Sequence, residues 1–347
     1  MAGSVGNVLL SDRLDLRHGD AMDVLLQIPD SSIDTVLSDP AYGIDHTRAI
    51  PGTGWDRSSL AFDPALWTEV KRVTRPGSSI AAFGHSRTVH RVATAMEAAD
   101  LVIADTVYFA RGASVQAGNQ RLDDVLRRAG AGDERSDAYS GWTSQLRNAV
   151  EPIVIGRNLA PGQTLNQALV QGGTGGFNTG SLRIDDRGEN RARGPGTVSD
   201  GHTIRLQRRG GEKSLPHSGG RMPTNLVLEH EAECDESACV DGCPALAVDA
   251  GGRQKYRQGR EKASRFFSRL QYAGRAPAGG HPTAKPDGIS DWLATLLVRP
   301  GAVVLDLFAG GGSLGLAGAR AGASTVIAIE REPEFCTLIS EKFGTAV

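Results

Sequence analysis

The feature that most limits what this chain can fold into is a regular alternation of strand-like and helical runs, present at both ends and absent from the middle. "LDLRHG", "SIDTVLSD", "SSIAAFG" and "LVIADTVYFA" read as strands, and "PALWTEVKRV" and "TVHRVATAMEAA" carry a helical period between them. After residue 286 the alternation resumes. "GISDWLATLLV" reads as an amphipathic helix, "GAVVLDLFA" as a buried strand, "GLAGARAG" as a helix and "TVIAIE" as a further strand. Such alternation implies a mostly parallel sheet covered on both faces, so the predicted fold class is α/β, doubly wound. From roughly residue 155 to 275 the pattern breaks down into Gly, Arg, Asp and Pro, and long loops with little regular structure are predicted there. The expected organisation is one sheet domain built from residues 1–155 and 277–347, with 156–276 inserted between its halves.

A chain of 347 residues buries a substantial core without needing disulfides or metal for stability. Its 44 glycines and 5% aromatic content point to many tight turns. A net charge of −2 gives no global attraction to nucleic acid, so any such binding must come from local patches. The opening "MAGSVGNVLLSDRLDL" lacks the basic and apolar regions of a signal peptide, and no window approaches the roughly 18 apolar residues of a membrane span. A soluble, cytoplasmic protein with no membrane partner is expected. Four cysteines, three of them crowded between 234 and 243, fit a reducing compartment.

Two segments carry the chemistry. "VVLDLFAGGGSLG" places Asp306, Phe308, Gly310, Gly311, Gly312 and Ser313 after a strand and before a helix, where glycines let a backbone approach a ligand and helix amides face it. About twenty residues on, Glu330 ends the next strand, where a carboxylate can accept hydrogen bonds from both hydroxyls of a ribose. Together they point to a nucleoside-containing cofactor; the spacing leaves a dinucleotide and S-adenosylmethionine both open. The second segment, "VLSDPAYGID", sets Asp39, Pro40 and Tyr42 at the carboxyl end of an apolar strand. Alone, that is an ordinary type I turn.

The two segments together, with "HPTAKP" at 281–286, resemble the amino-group DNA methyltransferases. "DPAY" is similar to that family's Asp-Pro-Pro-Tyr signature, "DLFAGGGS" to its cofactor motif, and "HPTAKP" to the element just upstream of it. "RHGDAMDVL" and "IEREPEF" extend the match. The motif order, catalytic first and cofactor last, resembles the circularly permuted β class. "EPIVIGRN", "GGTGGFNTGSLRI", "RMPTNLVL" and "ASRFF" echo the site-specific DNA methylases of phages and prophages. The resemblance implies a seven-stranded, Rossmann-like class I methyltransferase sheet with an irregular target-recognition insertion, S-adenosylmethionine as cofactor and double-stranded DNA as partner; relatives of the permuted class often form homodimers, and self-association stays open. For a phage-encoded enzyme the compartment would be the host cytoplasm.

The proposed chemistry explains the residue types. An exocyclic base amine is a poor nucleophile because its lone pair is delocalised into the ring. The Asp39 carboxylate and the Pro40 carbonyl can each accept an N–H hydrogen bond, favouring a tetrahedral nitrogen whose lone pair faces a methyl sulfonium. Tyr42 would stack on the base, which must be flipped out of the duplex. No metal or covalent enzyme intermediate is required, and no cysteine nucleophile stands beside the motif.

By resemblance, Ser313 and the Gly310 to Gly312 backbone meet the methionine end of the cofactor, with Thr283 and Lys285 near its carboxylate and His281 in the same element. Glu330 holds the ribose, Asp20 approaches the adenine edge, Phe308 lines the pocket near the sulfonium, and Asp306 belongs to the same cofactor-binding set. Asp20 reads equally as a helix N-cap, and Lys285 as a solvated lysine in a Pro-bounded turn. Ala41 stands for the family's second proline, Leu307 for the proline after the motif's first Asp, and Gly-Gly-Gly-Ser for its Gly-Ser-Gly-Thr. Both acceptors survive the first change, because neither belongs to residue 41.

Between 251 and 275 Arg253, Lys255, Arg257, Arg260, Lys262, Arg265, Arg269 and Arg275 outnumber the single acid Glu261, with Tyr256, Phe266, Phe267 and Tyr272 interleaved. Such a segment either tracks phosphates and stacks on bases or is a solvated charged surface. Arg183, Arg187, Arg191, Arg193, Arg205, Arg208 and Arg209 lie where base-edge readout would sit. "IDHTRAIPGTGWDRSS" reads as a mobile flap, with Trp55 either wedging the duplex or packing on the protein. His230, Cys234, Cys239 and Cys243, with three, four and three residues between them, form either a structural zinc site or a set of reduced thiols, and Cys336 reads as packing. The resulting expectation is methyl transfer from S-adenosylmethionine to adenine N6 in a specific duplex sequence. Cytosine N4, an RNA substrate and an inactive nucleic-acid binder stay open. A nicotinamide enzyme leaves "DPAY" and "HPTAKP" unexplained.

Overall fold

A computed structural model describes residues 9–44, 58–111, 120–146, 148–184, 219–235, 238–251, 263–272 and 281–345. The chain runs β1 (Leu14–His18), α1 (Ala21–Leu25), β2 (Ile33–Ser38), α2 (Pro64–Val73), β3 (Thr74–Phe83), α3 (Val89–Ala98) and β4 (Val102–Ala110). It continues through α4 (Leu122–Arg128), α5 (Asp133–Asp137), β5 (Val150–Arg157), α6 (Leu165–Val170), β6 (Leu226–Glu229), α7 (Pro244–Gly251) and β7 (Ser268–Leu270). It ends with α8 (Asp287–Leu297), β8 (Val303–Asp306), α9 (Ser313–Arg320), β9 (Thr325–Glu330) and α10 (Pro333–Thr345). Local chemistry sets several boundaries. Asp63 accepts from the Ala65 amide at 2.9 Å with Pro64 in the first turn of α2, and Thr164 and Gln167 close a capping box on α6.

Among the described residues the strands form one sheet in the order β1-β9-β8-β2-β3-β5-β4-β6-β7. Every pairing is parallel except those of β5, which runs against both β3 and β4. The doubly wound Rossmann-like fold is thus present, with nine strands where seven were expected. The two additions, β6 and β7, come from the middle segment and lengthen the sheet beyond β4. They are four and three residues long, too short for their alternation to stand out from a Gly- and Arg-rich background.

Alternate side chains feed two cores. Val36, Ile80, Ala82, Leu305 and Ile329 face α1, α2 and α3, where Leu25, Leu66, Trp67 and Met96 are fully buried. Leu37, Ala81, Phe83, Val304 and Ala328 face α8, α9 and α10, packing on Leu293, Ala317, Ile339 and Phe343. A period of two along each strand with apolar residues at both phases is what a sheet covered on both faces requires. No helix among the described residues is long and apolar enough to cross a membrane.

The glycine-rich start of the middle segment is packed rather than loose. A Cβ on Gly175, at φ +113°, would lie 1.9 Å from the Gly77 carbonyl oxygen, and one on Gly77, at φ +85°, would lie 2.1 Å from that of Thr174. Thr174 donates its amide to the Pro76 carbonyl at 2.9 Å, so the loop is stitched backbone to backbone onto the start of β3.

Register places the chemistry on one sheet edge. Leu37 pairs with Asp306 and His18 with Glu330, so the turns after β2 and β8 are neighbours and Gly19 follows beside Glu330. Beyond β8 the sheet continues through β9 and β1, and beyond β2 through β3. This is the switch point at which open α/β sheets open a crevice at their carboxyl ends.

Candidate active site

That crevice is a pocket lined by Asp20 after β1, Asp39, Pro40 and Tyr42 after β2, Phe308, Gly310 and Ser313 after β8, and Glu330 at the end of β9. His281, Thr283 and Lys285 close one wall, and Ser58, Leu60, Glu332 and Phe335 complete it. Of the residues singled out above, Asp306 and Gly312 lie just behind the lining. Sequence reasoning gave no role to Glu332 and Phe335, although both lie in "IEREPEF", and missed Leu60, which carries no motif signal.

The glycine turn is held by its neighbours. Glu330 accepts from the Gly310 amide through Oε2 and from the Glu332 amide through Oε1, each at 2.7 Å. Gly310 and Gly312 take φ of +50° and +76°; a Cβ would meet the His281 ring at 3.2 Å in the first case and Ile339 at 3.1 Å in the second. His281 stacks edge-on against Phe335 with ring centroids 4.4 Å apart. Burial, with Lys285 and Lys342 nearby, lowers its ring to a pKa of about 4, so it is neutral at physiological pH. The turn's ammonium is Lys342, donating to the Gly311 carbonyl at 2.7 Å. Asp20 serves both of its readings: it caps α1 by accepting from the Met22 amide at 2.9 Å, and it lines the pocket.

Lys285 lines the pocket beside Thr283 and also reaches Asp39. Its Nζ donates to Asp39 Oδ2 at 2.6 Å, lies 3.8 Å from Glu151 Oε2, and stands about 5 Å from the ring centroids of Tyr42 and Phe83, at 5.2 and 5.1 Å. Asp39 Oδ1 is buried without a hydrogen bond of good geometry. Burial pushes the Asp39 carboxyl above its ordinary value, outweighing the attraction of Lys285. Burial pulls Lys285 down, but Asp39 and Glu151 together leave it above its ordinary value, a firm cation. The Tyr42 hydroxyl is held well above its usual range by burial, Asp39 and Glu151. Behind this pair Arg111 bridges Glu151 at 3.4 Å and Glu229 at 3.1 Å, so alternating charges run from Asp39 to the end of β6. Glu151 opens the segment "EPIVIGRN" but was given no role, and Arg111 carried no motif signal in the sequence.

Asp306 is fully buried at the end of β8. Its Oδ2 accepts from the Gly315 amide at 2.8 Å, its Oδ1 makes no hydrogen bond, and burial pushes its carboxyl up to about 7. Between about pH 4 and 7 the folded chain therefore holds a proton the unfolded chain has released, and stability falls as pH rises through that window. Asp306→Asn keeps the acceptor for Gly315 and removes the titration. Relative to wild type it should gain up to roughly 4 kcal/mol between pH 4 and 7, read from urea melts at each pH. A stability difference that stays flat with pH would place the Asp306 titration outside this range.

His230, Cys234, Cys239 and Cys243 converge on one point: their ligand atoms all lie within 4.8 Å of one another. Of the basic segment, Arg265, Phe267, Arg269 and Tyr272 flank or form β7, with Arg269 exposed. Arg253, Lys255, Tyr256, Arg257, Arg260, Lys262 and Arg275 lie outside the described residues. So do Trp55 with most of its loop, and Arg187, Arg191, Arg193, Arg205, Arg208 and Arg209. Arg183 is described and donates to the Gly220 carbonyl at 2.8 Å.

No protein-family model matches the chain, and no curated protein matches it. The fold is similar to that of the solved PvuII DNA methyltransferase, described as cytosine-N4-specific, with a TM-score of 0.50 and 13% identity over 96% of this chain and 87% of that one. M1.HpyAVI in its SAM complex superposes with a TM-score of 0.47 and 12% identity over 96% of this chain and 100% of that one. TTHA0409 of Thermus thermophilus, complexed with S-adenosyl-L-methionine, gives 0.44 and 15% over 94% and 92%.

Proposed function

We propose that this chain is a DNA methyltransferase that carries a methyl group from S-adenosylmethionine to the N6 amine of adenine in duplex DNA, with residues 156–276 as its target-recognition insertion. The observation that carries the reading is the shared pocket: Asp39, Pro40 and Tyr42 open onto the same crevice as the glycine turn and Glu330. A type I turn after a strand needs no such company.

The pocket fits the cofactor. Glu330 presents a carboxylate whose two oxygens each retain a lone pair beyond their amide bonds, which suits a ribose diol. Gly310 and Gly311 present backbone without side chains to the pocket, Ser313 follows at the start of α9, and Asp20 and Phe308 line the same pocket. When bound, the cofactor supplies an activated methyl on a sulfonium. The remaining work belongs to the chain.

Asp39 and the Pro40 carbonyl accept the two amine hydrogens of a flipped base, drawing the nitrogen lone pair out of conjugation. Burial strengthens Asp39 in that role, because an acceptor removed from water interacts more strongly and its raised carboxyl takes a proton more readily. Tyr42 offers the stacking face. The hydroxyl stays protonated and the ring is anchored through its backbone carbonyl, which accepts from the Thr88 hydroxyl at 2.9 Å. Asp39 is the base placed to take the proton that a methylated amine would release.

The geometry favours an amine without choosing its ring, and the PvuII enzyme, whose fold is similar, is described as cytosine-N4-specific. The deciding experiment expresses the protein in a methylation-deficient bacterium and reads total DNA by mass spectrometry and long-read sequencing. N6-methyladenine at one short motif is the expected result. N4-methylcytosine would reassign the base and keep the chemistry. A folded, cofactor-binding protein that leaves DNA unmodified would overturn the DNA reading and favour an RNA substrate.

A further inference from the structure

The His230, Cys234, Cys239 and Cys243 cluster has no part in methyl transfer, and its geometry calls for a different occupant. The His230 Nδ1 lies 3.5 Å from the Cys239 sulfur and 3.6 Å from that of Cys243. A ring nitrogen has one lone pair or one hydrogen, so it cannot make a well-aligned hydrogen bond with both sulfurs at once. A central cation satisfies both. With metal–sulfur bonds of about 2.3 Å and a metal–nitrogen bond of about 2.0–2.1 Å, a tetrahedral angle puts sulfur and nitrogen about 3.5–3.6 Å apart.

The surroundings point the same way. His230 directly follows β6 and is 9% exposed, and Cys243 directly precedes α7 and is fully buried. Tight turns fold the intervening chain back, with the Cys234 amide donating to Glu231 and the Cys243 amide to Val240. Among the described residues, the fully buried apolar core beneath them is Leu228, Cys243 and Ala245, with Leu226, Leu246, Val248 and Phe267 partly buried against it, a small core for a strand, a loop and a helix. Three thiols also cannot pair off as disulfides, whereas Cys3His is a common closed zinc set.

We propose that His230, Cys234, Cys239 and Cys243 bind a structural zinc ion that fastens the 231–243 loop and α7 to β6. Ligation deprotonates the three thiols and releases their protons to solvent, with no change of oxidation state. His230 directly follows Glu229, the outer end of the charge chain that reaches Asp39, so a metal held there also fixes the strand β6 that supports that chain.

The test uses full-length protein purified without chelator from zinc-supplemented cells, and its readout is independent of methyl transfer. Elemental analysis should find about one zinc per chain, and cobalt exchanged into the site should show the visible bands of tetrahedral thiolate coordination. Cys239→Ser and Cys243→Ser should each lose the zinc, while Cys336→Ser, on α10, should keep it. Should the serine variants fail to fold, wild-type protein decides through the cobalt bands and the thiols released on chelation. Zinc at background with all four thiols titratable in the native protein would overturn the proposal. So would a cysteine pair found as a disulfide, or full zinc retained in both serine variants.

Discussion

Asp39→Ala should lower the rate of methyl transfer by about 10³-fold while leaving cofactor affinity within a few fold. The separation follows from the architecture. Asp39 belongs to the turn after β2, whereas Glu330 and the glycine turn belong to β9 and β8, and no hydrogen bond joins Asp39 to either. Single-turnover transfer of labelled methyl, set beside calorimetric titration of the cofactor, measures the two effects independently. Loss of affinity in step with loss of rate would mean that Asp39 shapes the cofactor site rather than the amine.

The substitution also has a structural cost that must be kept apart from the catalytic one. Lys285 would be left in a buried position with Glu151 at 3.8 Å as its remaining carboxylate, and removing one member of a buried pair costs roughly 3–5 kcal/mol. Asp39→Asn preserves shape and one oxygen acceptor but not the charge. It should retain more stability than Asp39→Ala while losing at least about 10²-fold in rate. If the asparagine variant were fully active, a neutral acceptor would suffice and the raised carboxyl of Asp39 would be incidental.

How much of this was legible in the sequence depends on the distance over which each feature is encoded. Both turns are local: an apolar strand ending in "DPAY", and another ending in a run of glycines, announce themselves within ten residues. The bounds of α2 and α3 were legible for the same reason, as was the Cys and His spacing. That the two turns share a pocket depends on Leu37 pairing with Asp306, a contact that no local pattern encodes. The partner of Lys285 is similarly remote. Motif resemblance placed that lysine by the cofactor carboxylate; its contact with Asp39 in the same pocket, and that of Lys342 with the glycine turn, are what the fold adds. Gly175 failed in the opposite direction, since a glycine-rich stretch reads as slack until the backbone of Gly77 is seen against it. The strands β6 and β7 escaped notice because three or four residues carry too few alternations to register a period.

Lys285→Met is the substitution that separates the motif reading from the geometric one. The ammonium lies between two carboxylates, Asp39 at 2.6 Å and Glu151 at 3.8 Å, and it opposes the burial that pushes Asp39 up. Without it, Asp39 loses its attraction to a cation and keeps its repulsion from Glu151, so its carboxyl rises further. Methyl transfer needs Asp39 ionised to accept the amine hydrogens. In wild type, activity is therefore lost as pH falls through the folded value of Asp39, and in the variant that loss must occur at a higher pH. At neutral pH the rate should drop by about 10- to 100-fold and recover in part as the pH is raised, with cofactor affinity little changed. Glu151→Gln removes the like charge and should move the same limb of the pH profile the other way. A lysine that instead gripped the cofactor carboxylate would give weaker cofactor binding at every pH and no displacement of the acid limb. The opposite signs of the two variants exclude a merely structural role, because general loosening of the pocket has no reason to shift one profile up and the other down.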